Sequence, residues 1–335
     1  MGYLHIATRS HLDHLLNKRP GETKLGEMVQ VVAAGNWQQE LAASSARFVL
    51  LGIPEDIGVR ANYGVGGAHT LWEPALKAIL NVQHTQRLNG EQLLVLGDFN
   101  FRDLMQQAEH ADVQRLRELV AEIDEVVFPV VRDIVAAGKI PIVIGGGHNN
   151  AYPLLKGSSE GAGKPVNCLN LDAHSDYRIM EGRHSGNGFR YARKKGYLDL
   201  YALVALHENY NAQEVIAELE ADPGILFSTY EDIFIHKRLD YDSAVGNAIA
   251  HTRGNRAGIE LDLDSIEHIL SSAATPSGVS VLQARQYVAA CARNVNAAYL
   301  HLAEGAVKMK HGREDLYTAK LVAYLVTDFI KNVPV

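Results

Sequence analysis

The feature of this sequence that most constrains its fold is an alternation between short apolar runs and longer segments with helical spacing. Most of the apolar runs are hydrophobic at successive positions, which is typical of parallel strands buried on both faces. The runs predict strands over residues 47–53, 93–97, 140–146, 166–172, 200–206, 225–229, 257–264 and 298–304.

Three longer segments between and after these strands have apolar residues at helical spacing. They predict helices over residues 113–138, 279–295 and 314–330, with Gly138 as a helix stop. Strands that alternate with helices imply an α/β fold, a doubly wound and mostly parallel sheet flanked by helices on both faces. We expect one domain over residues 1–335, in which residues 1–45 form a helical N-terminal extension.

The composition favours a soluble cytoplasmic protein that binds a small polar molecule. The 335 residues are 47% hydrophobic, and the net charge of −7 comes with scattered basic residues, which argues against nucleic-acid and membrane partners. Cys168 and Cys291 lie in apolar surroundings without a second thiol nearby, which predicts buried free thiols in a reducing compartment. The first residues lack a signal-peptide pattern, and no apolar run reaches the roughly 18 residues of a membrane span.

Side chains that bind metal ions follow three of the predicted strands. His148 follows IPIVIGGG, the segment NLDAHSD contributes Asp172, His174 and Asp176, and the segment IELDLD contributes a further pair of aspartates, Asp262 and Asp264. Because the carboxyl ends of parallel strands lie along one sheet edge, the three segments should converge there. Residues two apart in an extended segment also project from the same face.

The charge of this cluster requires a cationic partner. Four ionised aspartates in one dry cavity would repel one another, and two divalent ions would balance them, with an aspartate from each strand bridging the ions. Carboxylates with a few imidazoles favour Mn²⁺, although Co²⁺, Ni²⁺ and Fe²⁺ stay open. An isolated DxD is more often a cap or a salt bridge, but the three motifs together favour a metal site.

Two segments near these strand ends are rich in glycine. GGG before His148 lacks a nucleotide-binding spacing, and we interpret it as close backbone packing that turns His148 into the cavity. The segment YGVGGAHT, residues 63–70, is interpreted as a flexible loop near a strand end, with site lining as an alternative.

The motifs GGGH, DAHSD and DLD, in this order, resemble the arginase, agmatinase and formimidoylglutamase superfamily from about residue 47 to residue 330. The resemblance implies an arginase-like three-layer fold and two Mn²⁺ per subunit. One ion would be held by His148, Asp172, Asp176 and Asp262, and the other by Asp172, His174, Asp262 and Asp264, so that Asp172 and Asp262 bridge.

The resemblance also implies a chemistry. A hydroxide between the ions would attack an amidine or guanidine carbon, Asp264 would carry the proton to the leaving amine, and Glu304 would hold the amidinium, unless Glu304 is an ordinary carboxylate at a strand end. Members of this superfamily are homo-oligomers, commonly trimers or hexamers, and the same is expected here.

The segment that follows the DAHSD motif narrows the substrate. Arginases have a shuttle histidine where this chain has Phe189. The pair Phe189 and Arg190 resembles formimidoylglutamases and also agmatinases, whereas Arg178 resembles formimidoylglutamases more specifically. Two guanidinium groups suit a substrate with two carboxylates. Ser185 and Asn187, in the SGN run, are further expected substrate contacts. The predicted reaction is N-formimidoyl-L-glutamate plus water to L-glutamate plus formamide.

Several alternatives remain at this point. Asn187 is arginase-like, and His148 is followed by Asn149 and Asn150 where formimidoylglutamases more often have an acidic residue. Arg178 and Arg190 could be salt-bridge partners. His184 and His207 could replace the missing shuttle histidine, and His184 is kept as a candidate catalytic residue, although each is more often a loop or core histidine in such a position. The competing functions are a guanidino-compound hydrolase that releases urea, a metal-binding protein without activity, and a deacetylase on a related fold.

The third motif departs from the superfamily pattern on both sides of its DxD. Glu260 and Glu267 stand where relatives have serine and aspartate. Neither is expected to bind metal directly, so the departure concerns only the surroundings of the ligands.

Overall fold

A computed structural model describes residues 2–334, and nine strands in this range form a single sheet. The strands are β1 (Leu4–Ile6), β2 (Phe48–Gly52), β3 (Leu93–Phe99), β4 (Ile140–Ile144), β5 (Val166–Leu171), β6 (Leu198–Leu206), β7 (Ile225–Thr229), β8 (Arg256–Asp262) and β9 (Asn296–Ala303). Their spatial order is β1-β3-β2-β4-β9-β8-β5-β6-β7. All neighbouring pairs are parallel except β1 with β3.

Helices cover both faces of this sheet. They are α1 (Arg9–Leu15), α2 (Leu25–Met28), α3 (Trp37–Ala43), α4 (Ile57–Ala61), α5 (Trp72–Leu80), α6 (Arg102–Ala108), α7 (Val113–Ala136), α8 (Ala151–Ala162), α9 (Gly188–Lys194), α10 (Gln213–Ala221), α11 (Tyr241–His251), α12 (Val281–Asn294) and α13 (Tyr317–Asn332). One core packs α5, α11, α12 and α13 on the first face. A second core packs α7, α8, α9 and α10 on the opposite face. The predicted doubly wound α/β fold is therefore confirmed.

The eight predicted strands all form, and the three predicted long helices correspond to α7, α12 and α13. The structure adds β1, which pairs antiparallel with β3 at the sheet edge. The N-terminal segment thus combines this edge strand with α1, α2 and α3, and is not purely helical. Its short helices bury Leu12 and Leu25 in one core and Leu41 in the other.

Sheet order decides where the reactive side chains meet. The strands that precede the three predicted metal motifs, β4, β5 and β8, belong to a central group of four neighbours with β9. Their carboxyl ends share one edge, as parallel strands require.

Cys168 and Cys291 are buried free thiols, as predicted. Among residues 2–334, no helix combines the length and the apolar character that a membrane span needs.

Candidate active site

His148 reaches the sheet edge through the glycine run after β4. Gly145 and Gly146 have φ of 87° and 73°, a left-handed conformation that glycine adopts without steric cost. A Cβ atom on Gly146 would lie 2.3 Å from the Asn150 side chain. The run therefore packs closely and turns the chain, so that the fully buried His148 ring enters the cavity.

Asp172 and Asp262 lie side by side because β5 and β8 pair in register, with Leu171 opposite Leu261. The two aspartates also organise their loops in the same way. Asp172 Oδ1 accepts a hydrogen bond from the backbone N–H two residues on, at 2.7 Å, and Asp262 Oδ1 does so at 2.8 Å. These turns bring His174 and Asp264 back towards the sheet edge.

The first cluster consists of His148, Asp172, Asp176 and Asp262, whose ligand atoms lie within 4.8 Å of one another. His148 Nδ1 lies 3.1 Å from Asp172 Oδ2, 2.9 Å from Asp176 Oδ2 and 3.1 Å from Asp262 Oδ2. Adjacent ligands of an octahedral ion with bonds of about 2.1 Å are about 3.0 Å apart. The spacing therefore matches a coordination shell.

The second cluster consists of Asp172, His174 and Asp264. His174 Nδ1 lies 3.6 Å from Asp172 Oδ1 and 3.5 Å from Asp264 Oδ2. Asp172 thus presents one oxygen to each cluster, which is the geometry of a bridging carboxylate. Asp262 belongs to the first cluster, while its Oδ1 accepts the Asp264 N–H.

The electrostatics of the clusters indicate a need for cations. Burial, together with the charge of Asp172, raises the pKa of Asp176 to about 6. Burial and the charges of Asp264 and Asp172 raise the pKa of Asp262 well above its usual value. Burial opposes protonation of His148, but the surrounding carboxylates raise the pKa of its ring well above the ordinary value. A divalent ion would remove the repulsion that causes these shifts.

Thirteen buried side-chain polar atoms of the described residues make no well-directed hydrogen bond, and two of them, His148 Nδ1 and Asp264 Oδ1, belong to residues of the two clusters. Buried polar atoms are rarely left without a partner. His148 Nδ1 also faces the three aspartates of the first cluster, and carboxylate oxygens with imidazole nitrogens suit Mn²⁺. The residues present therefore fit a pair of divalent ions.

Glu304 follows β9, and its side chain is hydrogen-bonded to the loop that carries His148. Its Oε1 accepts a hydrogen bond from the His148 backbone N–H at 2.9 Å, and its φ of 63° turns the side chain out of the strand direction. Burial, with the charge of Asp264 next in importance, raises the pKa of Glu304 to about 8. A buried carboxylate in an acidic surrounding is suited to a cationic substrate group.

A cavity of about 640 Å³ opens above the clusters. His174, Asp176, Asp262, Asp264 and Glu304 line its floor. Its wall includes loop residues from several elements, among them Asn62, Tyr63, Gly64, Tyr210, Asn211 and Ser272. The segment YGVGGAHT thus contributes to the lining. Phe189 lies behind the floor, edge-on to the His148 ring at 5.1 Å between centroids.

Besides Glu304, two of the predicted substrate contacts lie at this cavity. Arg178 is exposed and lines the cavity wall, and its backbone N–H bonds to the Gly186 carbonyl at 2.9 Å. Ser185 also lines the wall, where its hydroxyl oxygen lies 3.4 Å from the Asn62 amide nitrogen. Arg178 and Ser185 are therefore accessible to a substrate.

His184 and Asn187, by contrast, are tied into the loop that carries Ser185. The fully buried His184 accepts the Gly186 N–H at Nδ1, 3.1 Å, and its Nε2 lies 3.3 Å from Glu181 Oε1. Asn187 accepts from Arg183 at 2.7 Å and donates to two backbone carbonyls. Neither side chain lines the cavity. The structure thus gives both residues a loop-organising position.

Arg190 also points away from the cavity. Its Nε donates to the Tyr177 carbonyl at 2.8 Å, and its guanidinium pairs with Glu218 at 2.6 Å. The guanidinium also lies over the Tyr177 ring, 5.0 Å from the centroid. These contacts correct the expectation that Arg190 edges the pocket, because α9 directs the side chain towards α10. The salt-bridge alternative describes Arg190.

His207 lies in an aromatic stack beside the site. Its ring stacks on Tyr230 at 4.3 Å and on Tyr210 at 5.4 Å, and Tyr210 stacks in turn on His174 at 5.3 Å. Burial lowers the pKa of His207. Sequence reasoning did not find Tyr210, which covers the His174 ring while remaining half exposed at the cavity.

Sequence reasoning also missed the environment of Glu260. This fully buried carboxylate contacts His148, Tyr299 and His301. Burial raises its pKa, but the neighbouring histidines outweigh that effect and lower the pKa to about 2. The departure of Glu260 from the superfamily pattern was visible in the sequence, whereas its partners on β9 were not.

Comparison with known proteins gives consistent results. The model of the arginase family matches residues 46–330. A formimidoylglutamase of Chromobacterium violaceum is 29% identical over 246 residues, which cover 71% of this chain and 69% of that protein.

Solved structures share the fold at lower identity. Formimidoylglutamase from Bacillus subtilis superposes with a TM-score of 0.76 at 16% identity, covering 94% of this chain and 93% of the other. Trypanosoma cruzi formiminoglutamase with Mn²⁺ superposes with a TM-score of 0.70 at 18% identity, covering 93% and 98%.

Proposed function

Because the chain belongs to the arginase family, we propose that it is a binuclear manganese hydrolase of N-formimidoyl-L-glutamate, with L-glutamate and formamide as products. The observation that carries the proposal is a pair of metal-binding clusters that share Asp172, at the floor of a cavity whose wall carries Arg178. The formimidoylglutamase relatives support the same substrate.

His148, Asp172, Asp176 and Asp262 would hold one ion, and Asp172, His174 and Asp264 would hold the other. The family resemblance adds Asp262 to the second set. The T. cruzi relative with Mn²⁺ supports manganese as the metal. When bound, these ions would supply an activated water as the nucleophile at neutral pH.

The protein's own residues would orient the amidine and move its protons. Glu304 lines the cavity floor and offers a carboxylate to the amidinium group, which bears the positive charge that its acidic surrounding favours. Asp264, which lines the same floor, is the proposed carrier of the proton that the leaving amine needs. Phe189 stands where arginases have a shuttle histidine and cannot carry a proton. Proton transfer to the leaving amine is therefore assigned to a carboxylate of the site.

Arg178 is the proposed contact for the glutamate carboxylates, assisted by the Ser185 hydroxyl. A guanidinium group recognises a carboxylate through two parallel hydrogen bonds, and it repels a cation such as agmatine. Arg190, Asn187 and His184 are proposed to act indirectly, since their side chains hold the loop that presents Arg178 and Ser185.

The enzyme is further proposed to act in the cytoplasm as a homo-oligomer, a trimer or hexamer. The buried free thiols support a reducing compartment. Light scattering coupled to gel filtration measures the assembly, and a monomer at micromolar concentration would contradict it.

The decisive experiment separates amidine from guanidine hydrolysis. Mn²⁺-loaded protein is incubated with N-formimidoyl-L-glutamate, L-arginine and agmatine, and formamide, ammonia and urea are measured. Formamide from the first compound, without urea from the others, is the expected result. Urea from arginine and no formamide would establish a guanidino-compound hydrolase instead. Two bound metal ions without turnover of any compound would indicate a metal-binding protein without this activity.

A further inference from the structure

A polar network lies directly beneath the predicted metal site, inside the sheet. Glu260 Oε1 accepts the Tyr299 hydroxyl at 2.7 Å, while its Oε2 lies 2.6 Å from His301 Nδ1 and 3.3 Å from His148 Nε2. All four side chains are fully buried. A fully buried carboxylate is energetically costly unless donors satisfy its oxygens, and these three side chains are placed to donate.

The network forms because β8 and β9 are neighbours. Glu260 lies opposite His301, and Gly258 lies opposite Tyr299 in the strand register. A Cβ atom on Gly258 would come within 2.4 Å of the Tyr299 ring, so glycine leaves the space that the ring occupies. His301 Nε2 lies 3.3 Å from the Gly145 carbonyl, at the turn that leads to His148.

The two nitrogens of the His148 ring face opposite surroundings. Nε2 faces Glu260, whereas Nδ1 faces the three aspartates of the first cluster. A proton on Nε2, donated to Glu260, leaves the lone pair of Nδ1 free for a metal ion.

We propose that Glu260, held by Tyr299 and His301, is a positioning residue that sets the ring orientation and tautomer of His148 for metal binding. The proposal rests on the metal-binding part of the proposed function and not on the identity of the substrate.

A third metal ion is the main alternative, since His148, Glu260 and His301 also have ligand atoms within 4.8 Å of one another. The 2.6 Å between His301 Nδ1 and Glu260 Oε2 is a hydrogen-bond length. Two ligands of one ion at about 2.1 Å bonds would be about 3.0 Å apart. The distance favours a proton between these atoms.

The test is a Mn²⁺ titration of metal-free protein by isothermal calorimetry, with manganese EPR to count bound ions. Glu260→Met removes the acceptor and the charge, whereas Glu260→Gln keeps an acceptor. We expect Glu260→Met to weaken the site that contains His148 by about 10–100-fold and to leave the other site within about threefold. Glu260→Gln and Tyr299→Phe should give smaller losses of the same kind. Exposed Glu267→Gln is the matched control and should bind as the wild type does.

Melting curves of the metal-free variants separate positioning from stability. A role in stability alone would lower the melting temperature and leave both affinities unchanged, which would overturn the proposal. Equal weakening of both sites would overturn it too, as would a third Mn²⁺ equivalent that disappears in His301→Phe. If Glu260→Met fails to fold, the Gln and Tyr299→Phe affinities decide: unchanged values overturn the proposal. Wild type that binds two Mn²⁺ without hydrolysing formimidoylglutamate would refute the substrate and leave this inference supported.

Discussion

Replacing Arg178 with glutamine is expected to lower kcat/KM for N-formimidoyl-L-glutamate by about tenfold. The side chain lines the cavity but is exposed, so the free energy of its contact with a substrate carboxylate should lie between the values for exposed and for buried charged contacts. Exposed ion pairs contribute roughly 0.2–1 kcal/mol. Hydrogen bonds to charged groups contribute about 1.5–3 kcal/mol where water is excluded. An intermediate value of about 1.4 kcal/mol corresponds to the tenfold loss.

The loss should fall mainly on KM, because a guanidinium group at the cavity wall binds the substrate and its transition state alike. Arg178→Lys keeps the charge without the two-pronged geometry and should recover part of the affinity. Initial rates of formamide release over a range of substrate concentrations measure both parameters.

A substrate analogue with one carboxylate removed isolates the contact. The effect of Arg178→Gln should shrink towards twofold on the analogue if Arg178 binds the missing group, as a double-mutant cycle requires. Arg115→Gln is the matched control, since Arg115 pairs with Glu122 on α7, outside the cavity. Equal losses on both substrates, or the same loss of affinity in Arg115→Gln, would refute the assignment.

Three further predictions concern His184, Asp124 and Glu304. Burial lowers the pKa of His184 to about 4, against about 6.5 in an unfolded chain. The native state therefore binds fewer protons than the unfolded state between these values, and stability present above pH 6.5 should fall by up to about 3 kcal/mol as the pH drops to 4. His184→Gln should flatten that part of the urea-denaturation profile of metal-free protein, and an unchanged profile would contradict the shift. Burial raises the pKa of Asp124 to about 6, yet its carboxylate pairs with the buried Arg183 at 2.8 Å. Asp124→Asn should cost about 3 kcal/mol of unfolding free energy because it leaves a buried guanidinium group unpaired, and a loss below about 1 kcal/mol would speak against the pair. Glu304→Gln removes the charge offered to the amidinium and should lower kcat by about 100-fold or more while two Mn²⁺ still bind; full activity, or loss of the metals, would remove Glu304 from the substrate contacts.

The eight predicted strands were readable because each is a continuous apolar run that must be buried on both faces. Strand β1 was not, since Leu4–Ile6 has only three residues and its pairing partner β3 begins almost 90 residues later. A short edge strand of this kind exists through a long-range pairing that local composition does not encode.

The convergence of His148, Asp172 and Asp262 could be predicted because the carboxyl ends of parallel strands share one edge. The direction of Arg190 could not be predicted, since it depends on how α9 packs and on the position of Glu218. The pairing of Glu260 with His301 likewise required knowledge of which strands are neighbours. Residue type indicated the possible chemistry, whereas tertiary packing decided which side chains reach the cavity.

The hydrogen bond from the His148 backbone to Glu304 joins residues 156 positions apart. During synthesis, the metal ligands as far as Asp264 leave the ribosome before β9. This strand lies between β4 and β8 in the sheet and separates His148 from the three aspartates of the first cluster. Inserting β9 sets the distance between His148 and these aspartates, so the metal site that contains His148 can form only when nearly the whole chain has been made. Binding of Mn²⁺ at this site in a stalled nascent chain would therefore report on the completion of the sheet. The ion would stabilise a fold that is already complete and would not nucleate its folding.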